Sequence, residues 1–259
     1  MAITNEPLFK TKAGLAFSAF RPESLVKMHK ALAEIGITNA QIVESASYSF
    51  AMVARFALGL SALGGKVCAL VGDSRAGWTA LATLRHLVNS GAEGTVLALS
   101  DPLKGSADFK LQVAPLMKMG VQFSVVEDAA ASSNLAQVVG SSHNVLCGLF
   151  GATEGNPLLP SIIDRINELQ TPIHSVEAPL GVDLTTGAPI GNPLFASSTI
   201  SLGAPFVGLH KGNEYAGRHY LCDISFTKSI YLAEGHDLAP LFSEQPVTQI
   251  LPVLPDEGA

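Results

Sequence analysis

KVCALVGDSRAGWTALATLRHLVNSGAEGTVLALS, residues 66 to 100, decides the fold. Its opening run, Lys66 to Gly72, is apolar, rich in β-formers and stopped by a glycine, the pattern of a buried strand. Asp73-Ser74-Arg75-Ala76-Gly77 follows as a tight loop, and the amphipathic stretch Trp78 to Ser90 predicts a helix. TVLALS, Thr95 to Ser100, is then a second strand. Two buried strands joined through a helix form a right-handed crossover, which makes the strands parallel and lays the helix across one sheet face.

Working outward, the alternation continues. A helical segment around Phe109 to Met119 leads to VQFSVV (Val121 to Val126), and a helix near Ser133 to Val139 leads to NVLCGLFG (Asn144 to Gly151). The helix Leu159 to Gln170 leads to PIHSVEAP (Pro172 to Pro179), and Thr199 to Leu202 and His219 to Ile224 read as further strands. Upstream, Leu25, Met28 and Leu32, then Phe50, Val53, Phe56 and Ala57, recur at helical spacing on either side of Gly36. Helices covering both faces of such a sheet give an α/β fold, a Rossmann-like three-layer α/β/α arrangement with a mostly parallel central sheet. One domain is expected over residues 1–232, with N-terminal helices in 22–60 and the sheet core in 66–227. Residues 233–259, punctuated by Pro240, Pro246, Pro252 and Pro255, are expected as an extended tail on the surface or on a neighbouring subunit.

Of the 259 residues 47% are hydrophobic and 15% charged, and the mean hydropathy is +0.33. Such a chain buries a sizeable core and has little charge to cover its surface, so a homo-oligomer, a homodimer in the simplest case, is expected. A net charge of −6 with no basic cluster argues against nucleic acid as a partner. Cys68, Cys147 and Cys222 each lie inside an apolar run, which suits buried thiols in a reducing compartment better than disulfides or a metal site. MAITNEPLFK lacks the pattern of a leader, and no stretch is long and apolar enough to cross a bilayer, so no membrane partner and a cytoplasmic location are expected.

In an open parallel sheet, ligands bind beyond the carboxyl ends of the strands. The candidate ligand-binding residues are therefore Gly72, Asp73, Ser74, Arg75, Ala76, Gly77 and Trp78 in the first loop, Gly151, Ala152 and Thr153 in the second, and Asp183 after PIHSVEAP. Arg75 can meet a phosphate or carboxylate, whereas Asp73 and Ser74 are also the residue types that cap a helix. The glycine spacing is neither a dinucleotide fingerprint nor a Walker loop. Glu177, between an apolar strand and a proline, is the candidate catalytic residue, since partial burial lifts a carboxyl toward the acid/base range. The same carboxylate could equally accept hydrogen bonds from loop amides. His143, His174, His210 and His219 show no metal-ligand spacing and read as structural, and no nucleophile elbow is present.

The order of segments resembles the YjeF N-terminal domain family, the NAD(P)HX epimerases and their non-catalytic relatives, over about residues 20 to 232. PESLVKMHKALAEIGITNAQIVESA (22–46) resembles the family's opening helix and its LMExAG segment. VCALVGDSRAGWTALATLRHL (67–87) resembles a strand followed by GPGNNGGDG and a helix ending in RHL. NVLCGLFGAT (144–153) resembles DAxFGTG, PIHSVEAPLGVDLTTG (172–187) resembles PVxSxDIPSGxDxxTG, and YAGRHYLCDISF (215–226) resembles the late strand with GxxxxxDIG.

The resemblance implies a small-molecule, NAD(P)-like ligand, a potassium site and an acid/base Asp, and this chain departs from the family at the last two. Positions that hold the ion carry Arg75, Ala76 and Cys147, which supply no hard oxygen ligand, so the potassium site is expected to be lost, with Arg75 placing a fixed charge there. Glu177 stands for the Asp, one methylene longer, Leu180 for the serine of PSG, and Trp78 for a glycine, where an indole should narrow the pocket. Three readings follow: a nucleotide-like ligand binder without epimerase chemistry, an isomerase working through Glu177, and a scaffolding module.

Overall fold

The computed structural model describes residues 8–60, 63–126, 131–150 and 157–253. The elements are β1 (Leu8–Thr11), β2 (Ala16–Ser18), α1 (Pro22–Glu34), α2 (Asn39–Phe56), β3 (Lys66–Val71), α3 (Arg75–Asn89), β4 (Glu93–Ala98), α4 (Ala107–Lys118), β5 (Gln122–Val125) and α5 (Ala131–Ser141). They continue with β6 (Asn144–Gly148), α6 (Leu159–Asn167), β7 (Ile173–Val176), β8 (Ser198–Leu202), α7 (Gly208–Lys211), α8 (Asn213–Ala216), β9 (Arg218–Cys222), α9 (Lys228–Ala233), a 3-10 turn at Ala239–Phe242, and β10 (Val247–Pro252).

The strands form one sheet in the order β2-β1-β10-β9-β8-β7-β6-β3-β4-β5. From β9 to β5 every pairing is parallel, while β10, β1 and β2 join antiparallel. This is the expected Rossmann-like α/β fold. Alternation along β3 sends Val67, Ala69 and Val71 into one core cluster and Cys68 and Leu70 into the other, so helices cover both sheet faces. On the first face α3 packs on β3 and β6 between α2 and α4, and on the second α5 and α6 lie together.

Helix starts are set by side-chain caps. Thr38 and Gln41 form a reciprocal capping box at α2, and Ser74, Ser106 and Thr227 cap α3, α4 and α9. The α3 start lies so close to the sheet that a Cβ on Gly77 would run into the Gly72 and Gly148 carbonyl oxygens.

Two parts depart from the expected outline. Within residues 233–259, expected as an extended tail, residues 234–253 instead carry a 3-10 turn and β10, which inserts between β9 and β1 with Ile250 opposite His219. Thr248 and Ile250 alternate inward along β10, and Pro246 and Pro252 bound the strand rather than interrupt it. At the other end, β1 and β2 add a hairpin beyond β10, with Phe9 fully buried against Phe17 and edge-on to His210 and His219. Among the described residues no helix is long and apolar enough to cross a membrane.

Candidate functional site

The strand order reverses at β3. From β3 the chain moves outward through β4 and β5, then returns to β6 on the other side. The crevice beyond the ends of β3 and β6 is where such sheets hold ligands. Gly72 and Gly148 meet there, with the Gly72 amide donating to the Gly148 carbonyl at 3.2 Å, and the Ser74 hydroxyl donates to the Phe150 carbonyl at 2.6 Å. Ser74 also accepts from the Gly77 amide, so its side chain joins the two loops and caps α3 at once.

Arg75 opens α3. Its side chain is half-buried, and its Nε is sequestered with no hydrogen-bond partner among the described residues. Ala76 and Gly77 are buried backbone spacers. Asp73 does not cap its own helix: its Oδ1 accepts from the Trp78 indole at 2.8 Å and the Ser106 hydroxyl at 2.6 Å, and its Oδ2 from the Ser106 amide at 2.6 Å. Partial burial opposes ionisation of Asp73, but these bonds and the Lys110 charge outweigh it and hold its carboxyl below the usual range. The Trp78 indole packs against the first core cluster while Leu180 is buried in the second, so the two lie on opposite sides of the sheet.

Glu177 follows β7 in the left-handed region at φ 67°, a conformation a non-glycine residue adopts only when its surroundings impose it. The backbone supplies that constraint: its amide donates to the Ile200 carbonyl at 2.8 Å, and its carbonyl accepts from the Ser201 hydroxyl at 3.4 Å. Part of the side chain reaches solvent, yet Oε1 is sequestered and unpartnered among the described residues. Burial pushes its carboxyl up, and the Arg75 charge pulls against that without cancelling it.

His29, on α1, is the residue the sequence reading passed over. Burial, then the Arg75 charge, brings its pKa down to about 3, and its Nδ1 lacks a partner among the described residues. Its ring lies 5.0 Å from that of Phe226, which follows β9. The signal was available: His29 lies between Leu25 and Met28 on one side and Leu32 on the other, on the buried stripe of α1. Arg75 thus acts on both Glu177 and His29, and α1, α3 and the end of β7 bring the three groups together.

Asp183 is not brought to this cluster by any contact. Its Oδ1 accepts from Thr186 N, Thr186 Oγ1 and Thr185 N, which keep its carboxyl below the usual range in a surface turn. Gly151, Ala152 and Thr153 fall outside the described residues. His174 bonds Ser198 and Asn144, His219 bonds Ser201, His143 accepts from the Lys66 amide, and His210 meets the Val253 carbonyl. All three thiols are buried; that of Cys147 is pushed up to about 12 by burial and stays neutral. Among the described residues no three His, Cys, Asp or Glu side chains are arranged to hold a metal ion.

Comparison with known proteins agrees with this architecture. The chain is 27% identical over 229 residues to a bifunctional NAD(P)H-hydrate repair enzyme from Thermofilum pendens, an alignment covering 85% of this chain and 43% of that protein. It is 29% identical over 210 residues to the NAD(P)H-hydrate epimerase of Yarrowia lipolytica, covering 78% of this chain and 79% of that one. The crystal structure of yeast ynu0 superposes with a TM-score of 0.75 at 20% identity over 91% of this chain and all of that one, a likeness of fold. A family model described as YjeF-related protein N-terminus matches residues 39–208, and the chain belongs to that family.

Proposed function

We propose that this chain binds a nucleotide-like small molecule, related to the nicotinamide dinucleotides, in the crevice beyond β3, β6 and β7, and that it has lost the epimerase chemistry of its relatives. One observation carries the reading: the Arg75 charge acts on the Glu177 carboxyl, while Glu177 Oε1 and Arg75 Nε are both sequestered and unpartnered among the described residues. The Arg75 charge only partly offsets the burial that raises the Glu177 carboxyl, and one extra methylene displaces that carboxyl by about 1 Å, which costs on the order of a hundredfold in rate. The side chains at the positions where the family resemblance implies a potassium ion, a guanidinium, a methyl and a neutral thiol, do not fit a hard cation. A homodimer in the cytoplasm belongs to the same proposal.

The left-handed backbone of Glu177 and its raised pKa favour a second reading, in which Glu177 still serves as an acid/base group. One experiment separates the two. Interconversion of the NADHX epimers is followed in a dehydratase-coupled assay with wild type and Glu177→Gln, alongside NADPH binding by calorimetry. Binding without turnover in either protein is the expected result. Turnover that disappears in Glu177→Gln would establish the isomerase reading instead, and absence of both binding and turnover would overturn both.

A further inference from the structure

A cleft of about 640 Å³ opens between α1 and the start of α2, lined by His29, Lys30, Thr38, Asn39 and Arg75 among others. Its volume lies in the range of small-molecule sites. Among the described residues no carboxylate lines it, while two basic side chains, Lys30 and Arg75, do. Two acidic groups that contact lining residues are already engaged: Asp108 Oδ2 accepts from Asn39 Nδ2 at 2.7 Å, and Glu34 pairs loosely with Lys30 at 4.0 Å on the outer surface.

The charge balance inside is incomplete. Arg75 cannot lose its proton, and Glu177, whose carboxyl feels the Arg75 charge, is itself pushed toward its neutral form by burial. A guanidinium in that position, with a sequestered Nε lacking a partner among the described residues, gains from an anion. His29 adds a second nitrogen of the same kind, Nδ1. The capping box takes the Gln41 amide, so only the Asn39 and Ala40 amides of the first turn remain at the positive end of this 18-residue helix, where Thr38 and Asn39 line the cleft.

We infer that this α1/α2 cleft is an anion subsite that takes the phosphate or diphosphate group of the ligand, with Arg75 and Lys30 supplying the charge and Arg75 linking it to Glu177. The identity of the ligand rests on the nucleotide-binding reading; the subsite itself rests on the cleft. Arg75 then serves two partners, a phosphate in the cleft and, through its charge, the Glu177 carboxyl.

The test uses inorganic pyrophosphate and NADPH as separate probes in titration calorimetry, with wild type, Lys30→Glu and Arg75→Met. Lys30 is 80% exposed, so its reversal leaves the fold intact, and thermal melts check that Arg75→Met is folded. Pyrophosphate should bind wild type, weaken about threefold in Lys30→Glu and at least tenfold in Arg75→Met, and weaken further as salt rises. NADPH should follow the same order. Pyrophosphate that fails to bind, or binds wild type and Lys30→Glu alike, would overturn the subsite. NADPH binding unchanged in Lys30→Glu would also overturn it while leaving the nucleotide reading standing. Pyrophosphate binding that follows the expected order without any NADPH binding would support the subsite and remove the nucleotide reading.

Discussion

The Trp78 indole nitrogen donates to Asp73 Oδ1 at 2.8 Å, and that carboxylate simultaneously receives the Ser106 hydroxyl and amide at 2.6 Å each. One side chain therefore ties the start of α3 to the start of α4, on the β4 side of β3. Asp73→Ala removes three bonds to a charged acceptor, and after allowance for solvent screening of a largely accessible group the expected cost is about 1–2 kcal/mol in urea unfolding. Because the folded carboxyl lies below its ordinary value, this contribution is present at neutral pH and is lost as pH falls through the folded value. Asp73→Asn should lose most of that pH dependence while keeping part of the stability.

Gly77 allows no side chain. A Cβ there would collide with the Gly72 carbonyl oxygen and meet that of Gly148, and neither backbone can retreat without breaking β3 or β6. Gly77→Ala is expected to destabilise by about 2–3 kcal/mol, the cost of overpacking against rigid neighbours. Gly120→Ala offers a contrast, since its Cβ position is open and its φ of 81° carries the only penalty, roughly 1 kcal/mol. Thermal melts of the two variants should therefore separate steric from torsional cost.

The sheet's long parallel half was readable because buried strands and amphipathic helices carry different periods, and Lys66 to Ser100 shows both within one unit. The antiparallel half was not, because Leu8–Thr11 is four residues long and Val247–Pro252 is framed by prolines that look like breakers. At the site, Arg75 and Glu177 were visible as polar residues at strand ends. The role of Asp73 was hidden, since it spends its carboxylate on Ser106, 33 positions away, and His29, though on the buried stripe of α1, is tied to Arg75 only by the cleft that both line. Local pattern gives a helix its face; the residues that face meets come from topology.

Buried neutral imidazoles should make the protein sensitive to mild acid. Burial brings His174 down to about 4 and His219 to about 3, as it does His29 with help from Arg75. Each binds a proton in the unfolded chain near its ordinary value of about 6.5 but resists doing so when folded. Stability from these groups is complete above that value and falls as pH drops toward the folded values, with a slope approaching about 1.4 kcal/mol per pH unit for each histidine. Denaturant midpoints measured from pH 7 to 4.5 should show this decline. His219→Phe should reduce the slope by one proton's share, even though Ser201 then loses its partner.

Glu177 should behave in the opposite sense. Its folded pKa is raised, so between the unfolded and folded values the native state holds the proton more tightly, and stability falls as pH rises through that window. Glu177→Gln removes the ionisation and should be more stable than wild type at neutral pH, with the gain shrinking in acid. Glu177→Gly should add roughly 1 kcal/mol by relieving the left-handed backbone at φ 67°. A carboxyl kept for structure alone would show the reverse, because its loss would weaken the fold. A site whose removal strengthens the protein is one retained for what it does to a ligand, and the two melts measured beside pyrophosphate and NADPH binding tell these cases apart.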